Sequence, residues 1–201
     1  MNNIKFRLME IKDAQEILNI YKPYIEDTSI TFECTVPTLV NFEKRLINIS
    51  KKYSYLVCEV DNKIIGYAYG SRLREREAYQ WDAELSIYLN QEYVNLGIGK
   101  LLYCALIDML KLQNIHNVYG VITQPNEKSE NLHSKLGFSK IGVFHNTGNK
   151  FNAWRDVVWY EKNILDFEKN PTPIIPITEV EKKSIYKILS KYNLLLSQKL
   201  A

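Results

Sequence analysis

Cysteine is scarce in this chain: Cys34, Cys58 and Cys104 are an odd number, far apart, with no CxxC pair. That excludes a disulfide framework and fits reduced thiols in a cytoplasmic protein. The histidines, His116, His133 and His145, share no metal-ligand spacing with each other or with the cysteines, so no metal site is expected. Long apolar runs are missing. No stretch approaches the ~20 apolar residues that span a bilayer, and residues 1–20 lack the unbroken apolar run of a signal peptide. An excess of one charge is missing too. The formal net charge is +3 and the basic residues are spread along the chain, which argues against nucleic acid or an anionic membrane as the main partner.

What is present suits one α/β domain with a short appendage: 201 residues, 46% hydrophobic and 24% charged, ordinary values for a globular protein. Ile4–Met9 reads as a short strand. Ala14, Ile17, Leu18 and Tyr21 make the stripe of an amphipathic helix after Asp13, ended by Pro23. Thr38 is a plausible N-cap for a second stripe, Leu39, Phe42, Leu46 and Ile49. Tyr53–Val60 and Ile64–Leu73 form a hairpin around Asp61-Asn62-Lys63, and Ala83–Leu89 is another strand. From Gly97 the period changes: Leu102, Ala105, Leu106, Met109 and Leu110 line one face of a helix. Asn117–Thr123 returns to strand, Ser129–Leu136 is a short helix stopped by Gly137, and closing strands run over Ser139–His145 and Ala153–Asn163. After Ile164, Pro171, Pro173 and Pro176 make an extended arm. Ser184–Ser197 then carries an apolar stripe that must lie on something, its own domain or a partner subunit.

The informative junction is strand Leu85–Leu89, a short link, then Leu96-Gly97-Ile98-Gly99-Lys100 opening a helix. Two glycines let the backbone turn its N–H groups toward one point, and the helix start adds unpaired donors and partial positive charge. That suits a phosphate, although many strand-to-helix turns use glycine for geometry alone. A nicotinamide fingerprint is not complete, because Leu102 stands where its third glycine falls, and the Walker lysine–hydroxyl pattern is missing.

With AYQWDAELSIYL, GIGKLLY, ITQPNEKSENLHSKLGF and GNKFNAWRDVVWY in order, the chain resembles the GNAT N-acetyltransferase superfamily. ITFECTVPT and PIIPITEVE extend the likeness, over about residues 4–180, to its phosphinothricin acetyltransferase branch. The resemblance implies an α/β (α+β) fold, a mixed, strongly bent sheet with helices on both faces and acetyl-CoA between splayed middle strands. The GNAT domain would span residues 1–164, with residues 165–201 as arm and helix. Backbone of Ile87, Tyr88 and Leu89 would meet the acetyl and pantetheine portion, and amides of Val94, Asn95, Leu96, Gly97, Ile98, Gly99 and Lys100 the pyrophosphate. Asn126 and Ser129 would contact its other side. In one departure, Val94 stands where the family usually carries Gln or Arg, which implies weaker cofactor binding through the main chain alone. Lys100 is either a compensating charge or a solvated lysine.

Amide formation needs an ammonium deprotonated, a thioester carbonyl polarised and a thiolate protonated. Glu84 matches the acid proposed as base in that branch, and His133 falls where many relatives place a tyrosine acid near the sulfur, so that it would either protonate the thiolate or share the base role. Arg72, Arg74 and Arg76 are half of the six arginines. They would share a strand face and present planar forks to an anionic acceptor, with Phe32, Tyr79, Trp81 and Trp154 as pocket walls. The resulting expectation is N-acetylation of a small amino-acid-like amine of the phosphinothricin or methionine sulfoximine type by a homodimer. The alternatives are another amine (an antibiotic, a polyamine, a protein N-terminus) and a non-catalytic acetyl-CoA-binding module.

Overall fold

In the computed structural model, which describes residues 4–200, six consecutive residues from Tyr55 to Val60 are all buried. Strand side chains alternate between faces, so an unbroken buried run means that both faces of the sheet are covered. Leu56, Cys58 and Val60 enter one core, Tyr55 and Val57 the other. The strands are β1 (Ile4–Leu8), β2 (Tyr55–Val60), β3 (Lys63–Arg72), β4 (Asp82–Leu89), β5 (Asn117–Thr123), β6 (Ser139–Lys150) and β7 (Ala153–Asn163). They lie in the order β1-β2-β3-β4-β5-β7-β6. All neighbours are antiparallel except β4 and β5. Those two run parallel, which requires a long crossover, here helix α3 (Ile98–Leu112).

Helices α1 (Ala14–Asp27) and α2 (Leu39–Ser50) cover one face, where Ile17, Tyr21, Phe42 and Leu46 pack against Tyr67. The other face carries α3, α4 (Glu127–Lys135) and α5 (Lys182–Leu200). Thr38 caps α2, its hydroxyl accepting from Asn41 N–H. Helix α1 does not end at Pro23 but runs through it to Asp27. Proline in a helix costs about 3 kcal/mol, whereas burying Tyr24 and Ile25 against the sheet returns roughly 1.5–3 kcal/mol each, and the Tyr24 hydroxyl also donates to Leu89 O at 2.6 Å. Asp61 and Asn62 both take left-handed φ, 47° and 66°, as a two-residue hairpin turn demands. No described helix is long and apolar enough to cross a membrane.

The proline arm is pinned from outside its own sequence. Trp81 Nε1 donates to Thr172 O at 2.7 Å, and Asn114 Nδ2 to Thr172 Oγ1 at 2.9 Å. Ile177, Val180, Ile185, Tyr192 and Leu196 then join the core around α3, so the apolar stripe of α5 lies on its own domain. Asn193 fastens the helix to edge strand β1, accepting from Phe6 N–H at 2.6 Å and donating to Phe6 O at 3.1 Å. Tyr192 and Lys191 both reach Asp108 of α3, at 2.8 and 3.0 Å.

Candidate active site

Strands β4 and β5 pair over three positions only, Asp82↔Asn117, Ala83↔Val118 and Glu84↔Tyr119. Beyond Glu84 they diverge, β4 staying with β3 as far as Leu89↔Gly66 and β5 with β7 as far as Thr123↔Val157. The result is a wedge with Glu84 at its apex. Its two inner edges carry backbone N–H and C=O groups that a ladder would otherwise use, and such groups demand partners.

At the mouth of the wedge the chain enters α3 through two left-handed residues, Asn95 (φ 65°) and Gly97 (φ 77°). Such alternation turns successive N–H groups into one concavity. Leu101 N–H is the first to close the helix, onto Gly97 O at 3.4 Å. By helix geometry, the N–H groups of Ile98, Gly99 and Lys100 are therefore left pointing outward. Gly99 lets this turn lie against β4, since a Cβ there would sit 3.3 Å from Leu89 Cδ1 and 3.6 Å from Ile87 Cδ1. A positive cradle of backbone amides beside an open strand edge fits a pyrophosphate with an extended pantetheine arm. Of the residues expected to hold acetyl-CoA, Gly99 thus lies against Ile87 and Leu89. Asn126 and Ser129 are engaged locally: Asn126 Oδ1 caps α4 by accepting from Ser129 N–H at 3.2 Å.

Alternation along β4 puts Glu84, Ser86 and Tyr88 on the face covered by α1 and α2. There Tyr88 meets the edges of Tyr21 and Tyr24, with centroids 4.9 and 5.0 Å apart. Burial pushes the Glu84 carboxyl above the usual glutamate range, and the Arg74 charge opposes that rise. A carboxylate that holds a proton more readily than a solvated one is suited to general-base work near neutral pH.

His133 lies behind the wedge, 3% exposed. Its Nδ1 contacts Ser129 O at 2.8 Å and its Nε2 the Tyr103 hydroxyl at 3.0 Å. A carbonyl only accepts, so Nδ1 carries the proton and Nε2 takes the hydroxyl's. Burial lowers its pKa, which favours the neutral ring. Gly120 of β5 makes room for it, because any Cβ there would overlap the imidazole.

The arginine cluster does not share a strand face. Strand β3 stops at Arg72, and a 3-10 turn, Glu77–Tyr79, follows Arg76. Arg72 pairs with Glu75 at 3.4 Å, and Arg76 and Tyr79 are exposed. Arg74 is exposed too, with its guanidinium 5.9 Å from the Trp159 ring centroid. Trp81 is spent on the C-terminal arm, and Trp154 is 63% exposed on the far face of β7. Phe32 packs against β6, where a Cβ on Gly148 would stand. Its loop is held over the sheet by Lys150 Nζ, which donates to Thr31 O at 2.8 Å.

Residues 6–159 match the acetyltransferase (GNAT) domain family. The chain belongs to the GNAT acetyltransferase family. It is similar to the phosphinothricin N-acetyltransferase of Streptomyces viridochromogenes, 30% identical over 177 residues, 88% of this chain and 96% of that one. It is 28% identical over 156 residues to the L-methionine sulfoximine/L-methionine sulfone acetyltransferase of Pseudomonas aeruginosa, covering 77% of this chain and 91% of that one. Among solved structures, it superposes on a Sinorhizobium meliloti GNAT phosphinothricin acetyltransferase in complex with AcCoA. The TM-score is 0.82 at 30% identity, covering 89% of this chain and 99% of that one.

This GNAT chain also carries site features that the sequence reading passed over. Among the described residues, Arg155 Nε and Trp159 Nε1 are buried with no hydrogen-bond partner. Both lie on β7 on the Glu84 face: the ladder pairs Trp159 with Val121, two residues beyond Tyr119, and Arg155 is four before Trp159. An unpaired buried N–H is costly enough to ask for an acceptor, from water or from a ligand. Their period-2 spacing on a closing strand was visible, but nothing local said that they would end without partners.

Proposed function

We propose that this GNAT enzyme moves the acetyl group of acetyl-CoA directly to the primary amine of a small, acidic, amino-acid-like substrate of the phosphinothricin or methionine sulfoximine type. Glu84 carries the reading: a half-buried carboxyl with raised pKa at the apex of the wedge. Acetyl-CoA supplies an activated acyl group as a thioester, and the protein orients the amine and handles its protons. Nitrogen–carbon bond formation and carbon–sulfur cleavage leave two protons to move from the ammonium. One departs through Glu84 to solvent and the other ends on the sulfur, so the products are amide, thiol and one released proton. The N–H groups around Val94–Lys100 hold the pyrophosphate, and the open edge at Ile87–Leu89 takes the pantetheine. His133 is a positioning residue in this scheme, holding the Tyr103 hydroxyl at 3.0 Å.

For the acceptor, Arg74 and Arg155 favour an anion while Trp159 and Phe32 wall the pocket. Cationic acceptors such as aminoglycosides or polyamines would meet like charge there. A donor-binding module without catalysis would have no use for the polarised carboxyl. For the assembly we infer a homodimer. The substrate reading is tested by thiol release from acetyl-CoA with a panel of amino acids, their phosphinate and sulfoximine analogues, and cationic amines. Release with cationic amines only, or with none of the acidic analogues, would sink it.

A further inference from the structure

The donor loop itself is poor in cations. From Asn90 to Gly99 it holds no Lys or Arg and one acid, Glu92, so the only local cation in its own sequence is Lys100. A second one arrives from a distant part of the chain. Helix α5 runs antiparallel to α3, for Tyr192 meets Asp108 while Lys199, further along α5, meets Gly97 near the start of α3. Tyr192, Leu196 and Lys199 fall at i, i+4 and i+7, on one helix face. Leu196 is fully buried, and the stripe it belongs to ends with the Lys199 side chain lying on Gly97. A Cβ on Gly97 would stand 2.9 Å from Lys199 Nζ and collide with Cε. The left-handed glycine therefore serves two ends, the loop turn and the approach of this lysine. Among the described residues Lys199 has no ion-pair partner. A lone ammonium beside the positive end of a helix is unfavourable unless an anion joins it.

We propose that Lys199 is a donor-binding residue, its ammonium pairing with the pyrophosphate of CoA above the Gly97 turn. Helix α5, beyond the stretch matched by the family, thereby becomes part of the cofactor site. The proposal rests on the acetyl-CoA reading above. It is a charge contact at an exposed position, so a moderate and salt-sensitive effect is expected.

Isothermal titration of the full chain with CoA, dephospho-CoA and pantetheine tests it without turnover. Lys199→Met should bind CoA about five- to tenfold more weakly than wild type at low ionic strength, and the gap should close as salt is raised. Dephospho-CoA should show the same loss, since it keeps the pyrophosphate. Pantetheine, which lacks it, should bind both proteins alike, and Lys199→Arg should stay within about twofold of wild type. Equal or tighter CoA binding by Lys199→Met would overturn the proposal, as the side chain would then be a bystander or a plug. A loss with CoA but not with dephospho-CoA overturns it as well, by moving the partner to the 3′-phosphate. A wild-type chain that binds none of the three ligands removes the donor reading itself, a result distinct from wild type and variant binding equally.

Discussion

Replacing Asn193 with alanine should loosen α5 from the edge of the sheet. Strand β1 is the last strand on its side, so outward-facing groups of Phe6 have no neighbouring strand to bond. The Asn193 amide takes that role with two hydrogen bonds, 2.6 Å from Phe6 N–H and 3.1 Å to Phe6 O. Each is worth roughly 0.5–1.5 kcal/mol net, and more if water cannot replace it. The Phe6 side chain is buried, which keeps water access poor, so we expect a loss of about 2 kcal/mol. For a domain of this size that corresponds to about 4–8 °C in Tm. Asn193→Asp keeps the acceptor toward Phe6 N–H but sets an anionic oxygen against Phe6 O, and should cost at least as much. Urea unfolding gives the free energy, and amide exchange at Phe6 gives the location: protected in wild type, fast in the alanine variant. Lys199 lies six residues further along α5, about 9 Å at 1.5 Å per residue, so the same variant should also weaken CoA binding. An Asn193→Ala protein within about 0.5 kcal/mol of wild type, with Phe6 still protected, would refute this account of how α5 is held.

Glu84→Gln should lower kcat/KM by about 10²–10⁴-fold. A base must be ionised and burial raises this carboxyl, so the wild-type rate should fall with decreasing pH at a point above the usual glutamate range near ~4.3. Arg74→Gln removes the charge that opposes the rise and should move that limb to still higher pH, whereas an unchanged limb in both variants would rule Glu84 out as the titrating base. Gly120→Ala drives a methyl into the His133 ring and should cost about 1–3 kcal/mol by overpacking, read as a lower Tm; a neutral result would mean that His133 moves freely.

The element pattern was legible in the sequence because it is local. Apolar spacing placed β5 at Asn117–Thr123 and β7 at Ala153–Asn163, and the Gly97–Gly99 pair marked the start of α3. Turn and helix-start chemistry follow from neighbouring residues, so the glycine turn that opens α3 could be found without a fold. Pro23 was misread for the opposite reason: its penalty is local, while the burial that outweighs it depends on a sheet built from residues 55–89. The arginines were expected on one face because alternation holds only while a strand lasts, and β3 ends at Arg72. Trp81 turns toward Thr172, Arg74 toward Trp159, and Phe32 toward Gly148. Each of these contacts joins segments at least 85 residues apart, and no periodicity encodes them. Sequence alone thus determined which stretch of backbone would turn and open a helix with free amides. Only the packing of α5 along α3 decided that the lysine lying on that stretch is Lys199, because where a side chain comes to rest is set by the whole chain's burial and not by its neighbours in sequence.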